Sequence, residues 1–169
     1  MSAEQHRAYS PARLGFALVT VSDSRSLETD TSGRTMRERI EAAGHTVASA
    51  RIVRDEIPEI RVAVLAALAE PGVDVIAVSG GTGFSPRDVT IEAASPLFER
   101  PIEGFGELFR MLSFAEVGPA AMLSRATAGL ARQRAVFLLP GSPKAVALAL
   151  DRLILPEAGH LLGQARRES

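Results

Sequence analysis

Val73-Asp74-Val75-Ile76-Ala77-Val78-Ser79-Gly80-Gly81-Thr82-Gly83-Phe84-Ser85-Pro86-Arg87-Asp88-Val89-Thr90 decides how this chain folds. Its first six residues are a short, mostly apolar run between Pro71-Gly72 and the glycines, which reads as a buried strand. Three glycines in four residues follow and let a ligand approach the backbone without Cβ obstruction. Successive backbone N–H groups in such a turn can form a nest for an anion. Arg87 and Asp88 come next. Arginine matches phosphate oxygens, and a carboxylate can hold a divalent cation that neutralises them. The local chemistry points to a phosphate-bearing ligand with a metal nearby. A tight strand-to-helix connection is the plain alternative, and the pattern is neither a P-loop nor a G-x-G-x-x-G fingerprint.

On either side of this stretch, strands and helices alternate. Leu14 to Val21 is a buried-strand run. Thr31 to Ala43 is helical, with Met36, Ile40 and Ala43 on one face, Thr31 or Ser32 as cap and Gly44 as stop. Thr46 to Val53 is a second strand, and Pro58 opens a helix with Ile60, Val64, Leu65 and Leu68 inward. Thr90 to Arg100 is helical or irregular. Phe105, Leu108, Phe109 and Leu112 mark an amphipathic helix closed near Gly118, its apolar residues serving the core or a subunit interface. Ala126 to Leu130 is a weak strand at an edge, and Ala135 to Leu139 is the last strong strand. Ser142-Pro143 starts a final helical region with a break at Pro156. Such alternation, with near-continuous apolar strands, defines a mostly parallel sheet covered on both faces.

Composition sets the limits. The 169 residues, 46% hydrophobic, suit one domain with a sizeable core. We expect an arm over residues 1–13, a single domain over 14–163 and a tail over 164–169. The absence of cysteine excludes disulfides, thiolate zinc sites and cysteine nucleophiles, and fits a cytoplasmic protein. A net charge of −1 and 5% aromatics argue against a nucleic-acid partner. No apolar run is long enough to span a bilayer, and the polar start has no signal-peptide core.

In parallel sheets ligands sit beyond the carboxyl ends of the strands, at a switch in strand order. Four such ends carry small, polar or charged residues: Ser22-Asp23-Ser24-Arg25, Arg54-Asp55-Glu56, Ser79 to Gly83, and Pro140-Gly141-Ser142-Pro143-Lys144. Taken singly, most have an ordinary reading. Ser142 is an N-cap whose helix start could also hold a phosphate. Lys144 is solvated, Asp55 caps the helix at Pro58, Asp23 and Asp30 are turn or cap residues, and Arg125 after Ser124 is a surface arginine. His6, His45 and His160 lack any ligand spacing.

The combined motifs carry more. Ser79-Gly80-Gly81-Thr82-Gly83 with Pro86-Arg87-Asp88-Val89-Thr90 resembles the signature of the molybdenum-cofactor family that contains the MogA and MoaB proteins and the gephyrin G domain. Thr20 to Arg25, Asp30 to Gly33, Ser124-Arg125 and Leu139 to Val146 agree with it, and Gly104 to Phe114 resembles the MoaB middle. The resemblance runs from about Leu14 to Leu155.

It implies a three-layer α/β/α fold with a mostly parallel sheet, assembled as a homotrimer or homohexamer. It implies Mg²⁺-dependent transfer of AMP from ATP to the phosphate of molybdopterin, with release of pyrophosphate. It carries catalytic, metal-binding roles to Asp55 and Asp88. It carries substrate or nucleotide contacts to Ser22, Asp23, Ser79, Gly80, Gly81, Thr82, Gly83, Arg87, Ser124, Arg125, Pro140, Gly141 and Ser142. Molybdate insertion would need another protein as partner. The alternative from a different class is a non-catalytic oligomeric carrier or scaffold that binds molybdopterin; the intact Asp55 and Asp88 favour the enzyme.

Overall fold

A computed structural model describes residues 10–167. Six strands form one sheet in the order β2-β1-β3-β6-β5-β4. They are β1 (Gly15–Val21), β2 (Thr46–Val53), β3 (Val75–Ser79), β4 (Arg100–Pro101), β5 (Thr127–Ala131) and β6 (Arg134–Leu139). The pairs β1–β2, β1–β3 and β3–β6 are parallel, whereas β5 runs antiparallel to both β6 and β4. The helices are α1 (Thr31–Ala42), α2 (Ile57–Ala69), α3 (Thr90–Ala94), α4 (Glu103–Val117), α5 (Pro143–Ala149) and α6 (Leu155–Ala165).

The sheet separates two cores, because alternate side chains of a strand point to opposite faces. Phe16 and Leu18 of β1, Val75 and Ala77 of β3, and Phe137 and Leu139 of β6 join one cluster with α1, α4, α5 and α6. Ala17, Val19 and Val21, Ile76 and Val78, and Val136 and Leu138 join the other with α2 and α3. Both faces are dry, which is why these strands read as continuous apolar runs. Phe16 is fully buried, so Phe16→Ala would cost about 3–5 kcal/mol.

The architecture matches the three-layer expectation, with local corrections. The cap of α1 is Asp30, whose carboxylate accepts from the Gly33 N–H at 2.8 Å, rather than Thr31 or Ser32. Thr20 Oγ1 donates to the same carboxylate at 2.6 Å and ties the helix start to β1. β5 is not an edge: two residues of β4 pair outside it. Pro156 does not break the last helix. A π-helical turn over Leu150–Ile154 precedes it, so its missing N–H falls in the first turn of α6, where proline is tolerated. The tail expected from Gln164 is helical to Ala165, and Arg166 pairs with Asp74 at 2.7 Å. At the other end of the chain, Ser10 and Pro11 pack against Gly159 of α6. Residues 1–9 of the expected arm, including His6, and residues 168–169 of the tail lie outside the described residues.

Candidate functional site

The chain passes from β1 to β2 on one side and then to β3 on the other, so strand order switches at β1. The loops that follow β1 and β3 therefore lie side by side at the carboxyl edge, where α/β sheets bind ligands. The glycine loop after β3 is the floor of this candidate site. Gly80 and Gly81 have φ of +96° and +66°, the left-handed region that glycine enters without strain. A Cβ on Gly80 would overlap the Val21 carbonyl, and one on Gly81 would overlap Thr90 Oγ1. Thr90 clamps the loop: its hydroxyl donates to the Gly80 carbonyl at 2.7 Å, and its N–H donates to the Gly81 carbonyl at 2.9 Å.

Two carboxylates lie against this floor. Asp55 Oδ1 is 3.0 Å from the point where a Cβ on Gly81 would stand, and Asp88 Oδ2 is 2.7 Å from the corresponding point at Gly83. Asp88 Oδ2 also accepts the Ser85 N–H at 2.9 Å, which folds the loop tip back. Asp55 does not cap α2, contrary to the ordinary reading. The cap position belongs to Glu56, which makes no side-chain capping bond, so Asp55 is left facing the loop. Burial, then the charges of Asp23 and Asp88, push the Asp55 carboxyl above the ordinary aspartate range.

Asp23 joins the two walls. Its Oδ1 accepts the Asp55 N–H at 3.1 Å, and its Oδ2 accepts from Arg87 Nη2 at 2.7 Å and Nε at 3.2 Å. The Arg87 hydrogen bonds, foremost, and the Asp55 N–H hold the Asp23 carboxyl below its usual range. Arg87 Nη1 also reaches Glu56 at 3.1 Å. Such exposed pairs add little stability, so their role here is geometric.

Arg125 is not the surface arginine its sequence position suggested. Its guanidinium donates to the carbonyls of Gly83 at 3.0 Å, Asp88 at 3.0 Å and Thr82 at 3.3 Å, and pairs with Glu92. That pairing lowers the Glu92 carboxyl. Arg125 is thus the brace that shapes the loop from beneath.

The remaining candidates divide. Gly141 abuts the loop, with the site of its absent Cβ 3.2 Å from the Gly80 Cα. Ser32 Oγ donates to the Gly141 carbonyl at 2.5 Å and fixes that contact. Ser79 Oγ is buried without a hydrogen-bond partner. Ser142 caps α5 through the Ala145 N–H at 3.1 Å, as its sequence position indicated. Ser124, Pro140 and Ser142 line a separate small cavity beside α4. Lys144, exposed, pairs with Glu116 at 3.3 Å. Ser22 closes its own turn by accepting the Arg25 N–H at 3.1 Å. On the β2 side of Asp23, a cavity of about 500 Å³ opens between Arg25, Leu27, Arg51 and Arg54. An apolar cavity of about 340 Å³ between α4 and α6 shares no residue with the carboxylates and has no comparable chemistry.

Sequence reasoning gave no separate role to Glu56, Thr90 or Glu92, which orient Arg87, the glycine loop and Arg125. The only signal was their place within or beside the motifs.

Among the described residues no three Asp, Glu or His side chains gather into a ready metal cage. Mg²⁺ rarely needs one: it takes one or two protein carboxylates and completes its shell with water and substrate phosphates. Asp55 and Asp88, crowded by Asp23 and set against a loop of N–H donors, fit that partial donor set.

This fold and this loop define a class. The family model described as a probable molybdopterin binding domain matches residues 17–160, and the chain belongs to that family. Its relatives include MoaB and MogA proteins. The chain is 48% identical to the molybdenum cofactor biosynthesis protein B of Bacillus anthracis, over 99% of this chain and all of the relative. It is 46% identical to the protein of the same name from Bacillus subtilis, over 99% of each. Its structure is similar to that of the tungsten cofactor synthesizing protein MoaB from Pyrococcus furiosus, with a TM-score of 0.84 and 40% identity over 94% of this chain and all of that one.

Proposed function

We propose that this protein acts in molybdenum cofactor biosynthesis as a molybdopterin adenylyltransferase. The observation that carries the reading is the placement of Asp55 and Asp88 against the glycine loop, one beside Gly81 and one beside Gly83. In the reaction, a phosphate oxygen of molybdopterin forms a bond to the α-phosphorus of ATP. The bond from that phosphorus to the bridging oxygen breaks, and pyrophosphate leaves. Both partners are anions, so the site must lower their repulsion. A divalent cation, held by Asp55 and Asp88 together with the substrate phosphates, would supply that charge.

The chain's own groups do the rest. The Gly80 N–H is engaged by the Leu139 carbonyl, so the N–H groups beyond it, from Gly81 to Gly83, would orient the phosphates, and the loop is braced by Thr90 and Arg125. Arg87 stands at the rim with its guanidinium already oriented by Asp23 and Glu56. Each terminal nitrogen keeps a second N–H, which could meet a phosphate oxygen without breaking those pairs. The attacking phosphate is already ionised and needs no general base.

The exposed apolar face of α4 supports a homotrimer or homohexamer. Among the described residues no helix is long and apolar enough to cross a membrane. A cytoplasmic location is part of the proposal and follows from the pathway's soluble substrates. The adenylylated pterin would pass to a separate molybdate-insertion enzyme. The test is to incubate the purified protein with molybdopterin, ATP and Mg²⁺. Adenylylated pterin and pyrophosphate should appear in equal amounts, and neither should form when the metal is chelated.

A further inference from the structure

Phe84, at the tip of the glycine loop, leaves 68% of its surface exposed. Of the chain's seven phenylalanines, only one other is exposed, Phe114, and it belongs to an apolar stripe on α4. Phe84 has no such stripe around it. Its neighbours in the chain, Thr82, Gly83, Ser85, Arg87 and Asp88, offer no large apolar side chain.

The ring is nevertheless supported from one side. The Arg125 guanidinium carbon lies 5.4 Å from its centroid, a cation–π contact. That guanidinium is itself pinned to three loop carbonyls and to Glu92. No other aromatic ring touches Phe84 among the described residues. The arrangement is a flat apolar surface carried on a fixed plane, with the other face turned to solvent. It stands next to a loop built to take phosphates.

We propose that the free face of Phe84 is a stacking platform for the planar heteroaromatic ring of a ligand whose phosphates lie along Gly81 to Gly83. This rests on the transferase reading above and extends it from the phosphates to the ring. Two rings meet the description, the adenine of the nucleotide and the pterin of the acceptor. A stacking contact makes no demand on hydrogen-bonding edges, so the platform contributes affinity while the polar groups around it set orientation.

The chain contains no tryptophan, so Phe84→Trp places a single tryptophan at the platform, which can be excited apart from the one tyrosine. Saturable quenching by ATP and AMP, without response to pyrophosphate or ribose 5-phosphate, would establish the platform and assign it to adenine. Quenching by molybdopterin alone would assign it to the pterin. Phe84→Ala should then weaken the assigned ligand about ten-fold in calorimetry, with the melting temperature and pyrophosphate binding unchanged. Wild-type affinity of both variants for ATP and molybdopterin, with no quenching, would overturn the platform and leave the transferase reading intact. Failure of the wild-type protein to bind either ligand would overturn both. Emission that is shielded before any ligand is added, and becomes exposed on dilution, would show that a second copy covers the ring and would also overturn the proposal.

Discussion

The side chain of Asp23 accepts the backbone N–H of Asp55 at 3.1 Å. One carboxylate thereby fixes the position of another, across the gap between the ends of β1 and β2. Because the second oxygen of Asp23 also accepts from Arg87, the loops after β1, β2 and β3 are joined at one residue. Asp23→Ala removes both contacts. A displacement of about 1 Å at a reacting centre costs on the order of a hundred-fold in rate. We expect kcat for AMP transfer to fall by about that factor, with little change in melting temperature, since the Asp23 side chain is 44% exposed and its pairs add little stability. A loss confined to KM would show that Asp23 only contacts substrate.

Asp23→Asn removes the charge while keeping one of the two contacts: its amide oxygen can still accept the Asp55 N–H, whereas its amide nitrogen cannot accept from Arg87. Burial, together with the charges of Asp23 and Asp88, raises the Asp55 carboxyl in the folded protein. A carboxyl raised on folding stabilises the fold below its unfolded value, and that contribution is lost as pH rises through the folded value. Metal binding needs the ionised form, so activity should fall on the acid side at a pH above the ordinary aspartate range. Removing the Asp23 charge should move this acid limb to lower pH. An unmoved or raised limb would contradict the assignment.

Asp55→Asn and Asp88→Asn should each lower AMP transfer by at least about a hundred-fold, the scale of losing the metal's charge stabilisation. Neither carboxylate holds the core together, so circular dichroism and thermal unfolding should match the wild type. Near-normal turnover in either variant would remove that residue from the site.

Ser79→Ala offers a cleaner probe of the loop than any substitution at Gly81. A side chain at Gly81 meets both a positive φ and Thr90 Oγ1, so Gly81→Val perturbs folding as well as binding. Ser79 Oγ is buried and unpartnered, so its removal should leave stability unchanged or slightly raised. Affinity for molybdopterin or ATP should fall if the hydroxyl is held in reserve for a ligand. Calorimetry and a melting curve on the same sample check both outcomes.

Leu108, Met111, Phe114 and Val117 lie at spacings of three along α4, and all are exposed, Met111 by 61% and Phe114 by 60%. Met122 and Leu123, in the 3₁₀ turn that follows, are exposed as well. So many exposed apolar side chains on one short segment mark an interaction surface. The protein should run as a trimer or hexamer in light scattering, and Phe114→Glu should shift it toward monomer. A monomeric wild type at micromolar concentration would refute this.

The legibility of the fold in the sequence follows burial. β1, β3 and β6 are apolar on both faces, and β2 was delimited to the residue. The short β4 escaped because Arg100-Pro101 has no apolar pattern, and with it went the true position of β5. The β5–β6 hairpin turns on Arg132 and Gln133 at φ of +48° and +59°. Neither is a residue that favours that conformation, so nothing in their identity announced the turn. The candidate site was legible in outline through the glycine loop and its resemblance. The clasp of Asp23 on Asp55 and Arg87, and the brace of Arg125, span 32 to 64 positions in sequence, beyond the reach of local patterns.

The central claim is that AMP moves to the pterin on this protein. The most direct measurement is a single-turnover experiment with ATP labelled at the α-phosphate, excess enzyme, molybdopterin and Mg²⁺. The account predicts that label appears on the pterin as pyrophosphate is released, and that Asp88→Asn forms the ternary complex without transferring label. Tight binding of molybdopterin with the label remaining in ATP, in the wild-type protein, would contradict it and identify a carrier instead.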